Sequence, residues 1–210
     1  MAALVVITAG CSGNATLSTR VGAASAGSAL TVGTVNVTRV RMVVLQVEVE
    51  RGDEQNEVEF EAGPFLLDLS GAELEGGVVE QFTAEVPAGT YDQLEFEIHP
   101  LEGTLPEDEA MREMFSRGAS VIIDGDVGGT PFSYESHLTE KREIDGTFDL
   151  GAGGDNLTLN IDPSGWFIGE NGTALDPNDP DHASQIEANI KLSLDAYDDD
   201  DHDGADDDAS

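Results

Sequence analysis

Cysteine occurs once in this chain, at Cys11, so no intrachain disulfide can form and the fold must rest on its core or on bound ions. Lysine occurs twice, at Lys141 and Lys191, and all bases number 9 against 43 acids, for a formal net charge of −34. A field of that sign repels nucleic acid and anionic membrane surfaces and gathers cations. The histidines, His99, His137, His182 and His202, are too far apart in sequence for a zinc box. No Gly-x-Ser-x-Gly elbow and no phosphate-cradling loop occurs. Carboxylates are too numerous for a glycosidase-like pair to stand out. These absences argue against an enzyme.

The acidity is not a property of one tail. Residues 195–208 hold nine aspartates, and removing them takes 34 minus 9 and still leaves −25. Acid excess with scarce lysine resembles proteins from salt-loving microbes, in which dissolved ions screen the self-repulsion of the compact state. A chain of 210 residues is long enough for one domain with a real core. Its 24 glycines and modest 39% hydrophobic content favour a turn-rich all-β protein over a helix bundle.

The pattern that organises the chain is VVEQFTAEVPAGTYDQLEFEIHP, residues 78–100. Leu94, Phe96 and Ile98 alternate with Glu95, Glu97 and His99, the period of a strand with one buried and one wet face. The spacing therefore predicts Leu94, Phe96 and Ile98 in the core and Glu95 and Glu97 in solvent. Pro87-Ala88-Gly89 reads as a tight turn that makes residues 78–86 and 90–99 a hairpin. Further strands are expected at 30–37, 40–50, 57–61, 65–69, 119–124, 131–137, 142–150 and 156–161. In the second of these, Leu45, Val47 and Val49 alternate with Gln46, Glu48 and Glu50. A short helix is expected at 106–115, with Pro106 at its first position and Met111, Met114 and Phe115 on its apolar face. A second, capped by Asp179 ahead of Pro180, is expected to run to about Tyr197 through Ala183, Ile186, Ile190 and Leu194. Its rival is a strand through Ile190, Leu192 and Leu194. Trp166, the one tryptophan, reads as a core plug.

The flanks carry signals of place. Residues 1–10, MAALVVITAG, are apolar and end in small residues just before Cys11. That is the pattern of a secretory signal with a lipoprotein cleavage box, in which Cys11 receives the lipid and anchors the chain to a membrane at the cell surface or in the periplasm. Thr8 departs from the large aliphatic residue usual there, and no basic residue precedes the run. Residues 12–29, rich in Ser, Gly, Ala and Thr, read as a flexible tether, residues 30–197 as the domain, and 198–210 as an acidic tail. Within the tail, Asp199, Asp201, Asp203 and Gly204 repeat the first half of a calcium loop, with Asp207 beyond and with Asp176 or Asp179 as a donor from a neighbouring loop.

From about residue 35 to 150, the valine-rich first strands, FLLDLSG, VPAGTYDQLEFEI and SVIIDGDVGG resemble transthyretin-like domains of prokaryotic lipoproteins. The resemblance implies an all-β sandwich on the cell surface or in the periplasm; with the two helices read from the sequence, the expected architecture is an antiparallel β-sandwich of transthyretin or Ig-like Greek-key type with a short inserted helix and a C-terminal helix. No catalytic residues are established for such domains, so it implies none. The Asp-rich ending is similar to thrombospondin type-3 calcium repeats, in which short aspartate loops share ions. Two functions follow as expectations: a lipid-anchored binding or structural module with calcium in its tail, or an accessory or catalytic domain of an extracellular polysaccharide-degrading system.

Overall fold

The computed structural model describes residues 12–21, 30–51, 58–75, 77–87, 89–150 and 156–198. In chain order, its first strands are β1 (Ser12–Val21), β2 (Leu30–Val32), β3 (Val35–Arg51), β4 (Val58–Ala62), β5 (Phe65–Ser70), β6 (Gly77–Pro87) and β7 (Gly89–Ile98). Helix α1 (Glu109–Arg117) precedes β8 (Val121–Val127), β9 (Thr130–Ser136), β10 (Glu140–Leu150) and β11 (Asn156–Ile161). Helix α2 (Ala183–Leu192) leads into β12 (Leu194–Asp198). The architecture is an all-β, mostly antiparallel two-sheet sandwich with a short inserted helix and a C-terminal helix. No described helix is long and apolar enough to cross a membrane.

The larger sheet has eight strands and is built on β3, a valine-rich strand of 17 residues. Its inward residues change phase twice: Val35 and Val37, then Val40, Met42 and Val44, then Val47 and Val49. The register shifts between Val37 and Arg39 against β8, and between Val44 and Gln46 against β7, account for both changes. A bulge adds one residue and turns every later side chain to the other face. Leu45 is therefore out of phase with Val47 and Val49, contrary to the simple alternation, and packs on the opposite side of the sheet. Along the edge away from β7 and β8, β4 and β5 pair with β3 in one continuous register, Ala62 opposite Val47 and Phe65 opposite Val44. Gly63, with φ of 136°, lies between them. A Cβ there would stand 2.4 Å from the Leu45 carbonyl oxygen, so the position requires glycine.

The smaller sheet runs β12-β11-β1-β6. Two expectations are corrected here. Residues 78–86 and 90–99 are not a hairpin, because β6 pairs with β1 while β7 pairs with β3 and β10. The chain around Pro87 and Gly89 crosses from one sheet to the other, and a turn motif cannot distinguish that from a hairpin. Residues 12–21 are not tether but strand β1, parallel to β11 and antiparallel to β6. Alternating Ser, Thr and apolar residues suit a strand as well as a linker once two partner edges flank them.

The main core fills the space between the sheets. Leu94, Phe96 and Ile98 of β7 are buried in it, as are Leu159 and Ile161 of β11 and Ile186 and Ile190 of α2. Trp166 is buried as a core plug, and its indole Nε1 donates to Ser193 Oγ at 2.6 Å. Phe167 meets Phe132 edge to face, centroids 5.9 Å apart. A second, small core lies on the outer side of the larger sheet, where Met114 of α1 covers Val43 and Ile122. Helix α1 begins later than its proline suggests. Asp108 is the cap, its carboxylate accepting from Met111 N at 2.9 Å, and Gly118 ends the helix at φ 64°. Helix α2 follows the Asp179-capped turn Pro180–His182 but stops at Leu192, not near Tyr197. Leu194 instead pairs with Ile161, because the open edge of β11 offers ladder bonds that a longer helix would forgo.

Candidate functional site

Beyond the second bulge, β3 turns Gln46, Glu48 and Glu50 to the outer face of the larger sheet. Register then fixes their neighbours. Glu48 lies directly opposite Glu61 of β4 on one side and Glu95 of β7 on the other, and Glu95 lies opposite Glu143 of β10. Four strands thus carry a continuous row of four glutamates. Like charges directly opposite on one face destabilise a sheet, so such a row needs compensation.

Burial sharpens the need. Glu48 is 9% exposed and Glu95 7%, which overturns the expectation that Glu95 stands in solvent. Glu97, its neighbour in the pattern, is half-buried. Both flanking strands continue past Glu95, so its carboxylate lies among neighbouring side chains. Carboxylate oxygens of Glu48, Glu50 and Glu95 all lie within 4.8 Å of one another. Part of the charge is met within the sheet: Lys141 Nζ reaches Glu95 Oε2 at 2.7 Å and Glu143 Oε1 at 3.6 Å, and Gln46 Nε2 donates to Glu48 Oε2 at 3.0 Å. The Glu95 carboxylate in turn raises the Lys141 ammonium above the usual lysine range. Three carboxylate oxygens converging from two adjacent strands are a hard-oxygen donor set, of the kind that holds calcium or magnesium.

The other end of the same face shows how a matched set differs. Arg39 makes a two-pronged pair with Asp68, at 2.7 and 2.6 Å. Arg41, only 3% exposed, bonds Glu113 of α1 and Asp124 of β8, each at 2.6 Å. Arg117 extends the set by joining Glu113 to Glu135. The Arg39 hydrogen bond holds Asp68 below the usual carboxylate range, and the Arg117 hydrogen bond does the same for Glu135. The outer face of β3 therefore grades from arginines clamped by acids to glutamates facing glutamates.

Of the residues singled out from sequence, Asp176 and Asp179 are not part of this cluster. Cys11 and the tail aspartates Asp199, Asp201, Asp203 and Asp207 lie outside the described residues. Asp176 and Asp179 serve local turns, accepting from Asn178 N at 2.9 Å and Asp181 N at 3.0 Å. Among the described residues, Glu48, Glu50 and Glu95 form the one group of three metal-capable side chains that meet. Sequence reasoning missed it because it depends on cross-strand register. The available signal was the repeated Glu-x-Glu of residues 48–50, 59–61 and 95–97. Compared with protein-family models, with curated proteins and with solved structures, the chain shows no match.

Proposed function

We propose that this chain is a lipid-anchored binding or structural module of the cell surface or periplasm, adapted to a cation-rich medium, whose acid-faced sheet holds divalent cations. The observation that carries the cation reading is the convergence of Glu48, Glu50 and Glu95, with Glu48 and Glu95 more than nine-tenths buried. Carboxylates so placed are stabilised by a counter-cation more than exposed acids are, because solvent screens them less. The net charge of −34 raises the local cation concentration around the whole domain. Anchoring rests on Cys11 after its apolar run. The tail aspartates Asp199, Asp201, Asp203 and Asp207 supply a second, weaker calcium set, with affinity of roughly millimolar order as in extracellular modules.

Thermal unfolding tests the cation reading when calcium, magnesium and sodium are compared at matched ionic strength. Calcium should raise the midpoint saturably above the sodium curve. An Asp201→Asn/Asp203→Asn variant should keep most of that rise if the sheet site is responsible. Coincident curves for all three ions would mean diffuse screening and would remove the site. Anchoring is tested separately: Cys11→Ser should move the protein from the membrane fraction to the soluble fraction.

A further inference from the structure

Asn-x-Thr, the triplet on which N-linked glycans are built, occurs four times in the chain, beginning at Asn14, Asn36, Asn156 and Asn171. The motif alone does not choose among them, and the fold does. A transferase must reach both the asparagine amide and the hydroxyl two residues on, so a competent acceptor lies on an exposed turn with neither group engaged. Asn14 and Asn156 lie within strands β1 and β11, Asn14 opposite Glu85 of β6 and Asn156 opposite Thr16 of β1. Thr158, the hydroxyl partner of Asn156, is fully buried. Asn36 lies within β3, between β2 and β8. Its Nδ2 donates to Asp126 Oδ2 at 2.9 Å, and the hydroxyl of its partner Thr38 donates to the Asp124 carbonyl at 3.2 Å.

Asn171 differs on every count. It stands at the tip of a small hairpin in which Ile168 bridges Ala174, Gly169 N donates to the Thr173 carbonyl at 2.8 Å, and Gly172 N donates to the Gly169 carbonyl at 2.8 Å. Gly172 turns the chain there at φ 71°, and a Cβ at that position would meet nothing within 4 Å, so the tip faces open space. Residues 170–174 are all exposed. Neither the Asn171 side chain nor the Thr173 hydroxyl makes a hydrogen bond to a described residue, so both stand ready for an enzyme. The stalk is firm: Phe167 and Leu175, at the base of the hairpin, are buried in the main core, and Leu175 N donates to the Phe167 carbonyl at 2.8 Å. We propose that Asn171 is an N-glycosylation site, with Thr173 as its recognition hydroxyl. This rests on the exported location proposed above, because such triplets are used on chains that leave the cytoplasm. In the transfer, Asn171 Nδ2 bonds to the anomeric carbon of an oligosaccharide carried on a polyprenyl phosphate. The bond from that carbon to the phosphate oxygen breaks, the polyprenyl phosphate leaves with the electron pair, and the amide gives one proton to a base of the transferase.

Mass spectrometry of the full chain, isolated from the membrane fraction of its native cell, tests this on wild type, Asn171→Gln, Thr173→Val and Asn14→Gln. Beyond any lipid at Cys11, wild type should carry an added mass made of whole sugar residues, and fragmentation should place it on the peptide that contains Asn171. Asn171→Gln and Thr173→Val should both lose that mass. Thr173→Val keeps the asparagine, so its loss of sugar reads recognition of the triplet rather than any other change at Asn171. Asn14→Gln should keep the added mass. Sugar that persists in both hairpin variants, or that disappears from Asn14→Gln, overturns the assignment. Unmodified wild-type chain in the membrane fraction overturns this site and leaves the export reading standing, whereas chain confined to the cytosol overturns both.

Discussion

Replacing Glu48 by glutamine should stabilise the protein in chelator and destabilise it in calcium, relative to wild type. The substitution keeps shape and removes one charge from the middle of the glutamate row. Glu48 has carboxylate oxygens of Glu50 and Glu95 within 4.8 Å. At that separation each like-charge pair costs about 3.5 kcal/mol at an effective dielectric of 20, and about 0.9 kcal/mol in bulk water. The site lies between those limits, since Glu48 and Glu95 are buried while Glu50 is half-buried. Against the relief stands the weakening of the Gln46 hydrogen bond from a charge-assisted to a neutral one, about 1 kcal/mol. Because Lys141 already offsets much of the Glu95 charge, both pairs are taken near the lower limit, and the net gain in low-salt chelator is about 1–2 kcal/mol. For a chain of this length, that raises the thermal midpoint by roughly 2–8 °C. In calcium at about one hundred times its dissociation constant, wild type gains about 2.7 kcal/mol from the bound ion. The variant, short of one donor, forfeits most of that gain, so the order of the two midpoints reverses. Paired melts of both proteins in chelator and in calcium read the result. A variant less stable than wild type in low-salt chelator would show that the row is not under repulsion, and the reasoning would be wrong at its first step.

Three further outcomes check other parts of the structure. Phe96→Ala, at a side chain 2% exposed in the main core, should cost about 3–5 kcal/mol by chemical denaturation, and a loss under about 1 kcal/mol would remove Phe96 from the core. Gly63→Ala should destabilise and shift backbone amide signals of Leu45 and Gln46, because the added Cβ meets the Leu45 carbonyl at 2.4 Å; unchanged spectra and stability would refute the close approach. Asp68 has its folded-state pKa lowered by Arg39, so its contribution is present above the unfolded value near 4 and lost as pH falls through the folded value. The midpoint difference between wild type and Asp68→Asn should therefore be present at neutral pH and close below about pH 4, and a difference that persists at low pH would contradict the pairing.

Much of the fold was legible because period-two alternation depends on neighbouring residues alone. The strands at 65–69, 131–137 and 156–161 appear within a residue or so of their expected bounds, and Leu94, Phe96, Ile98 and Trp166 are buried. What escaped depends on distant partners. Alternation along β3 does not show where bulges reset its phase, so by itself it places Leu45 on the wrong face. The Pro-Ala-Gly turn fixes a change of direction but not which sheet receives the next strand. Residues 194–198 have helical spacing with Ile186 and Ile190, yet the free edge of β11 decides their state. The glutamate cluster follows the same rule: each Glu-x-Glu is an ordinary outer face by itself, and only register across β4, β3, β7 and β10 stacks them.

The place of β1 in the smaller sheet has a consequence for the order of events during synthesis. Thr16 pairs with Asn156, 140 residues further along the chain. Ribosomes add roughly 5–20 residues per second, so about 7–28 s separate the emergence of the two strands. β6 arrives earlier and can close one side of β1, through Thr16 opposite Thr83. The other side stays open until β11 appears, and β12 can join only after that. For that interval the nascent chain presents a bare strand edge, which is a template for pairing with any neighbouring chain. That edge calls for cover, by a holding factor or by delivery of the chain in an unfolded state to the place where it folds, until its last two strands are made.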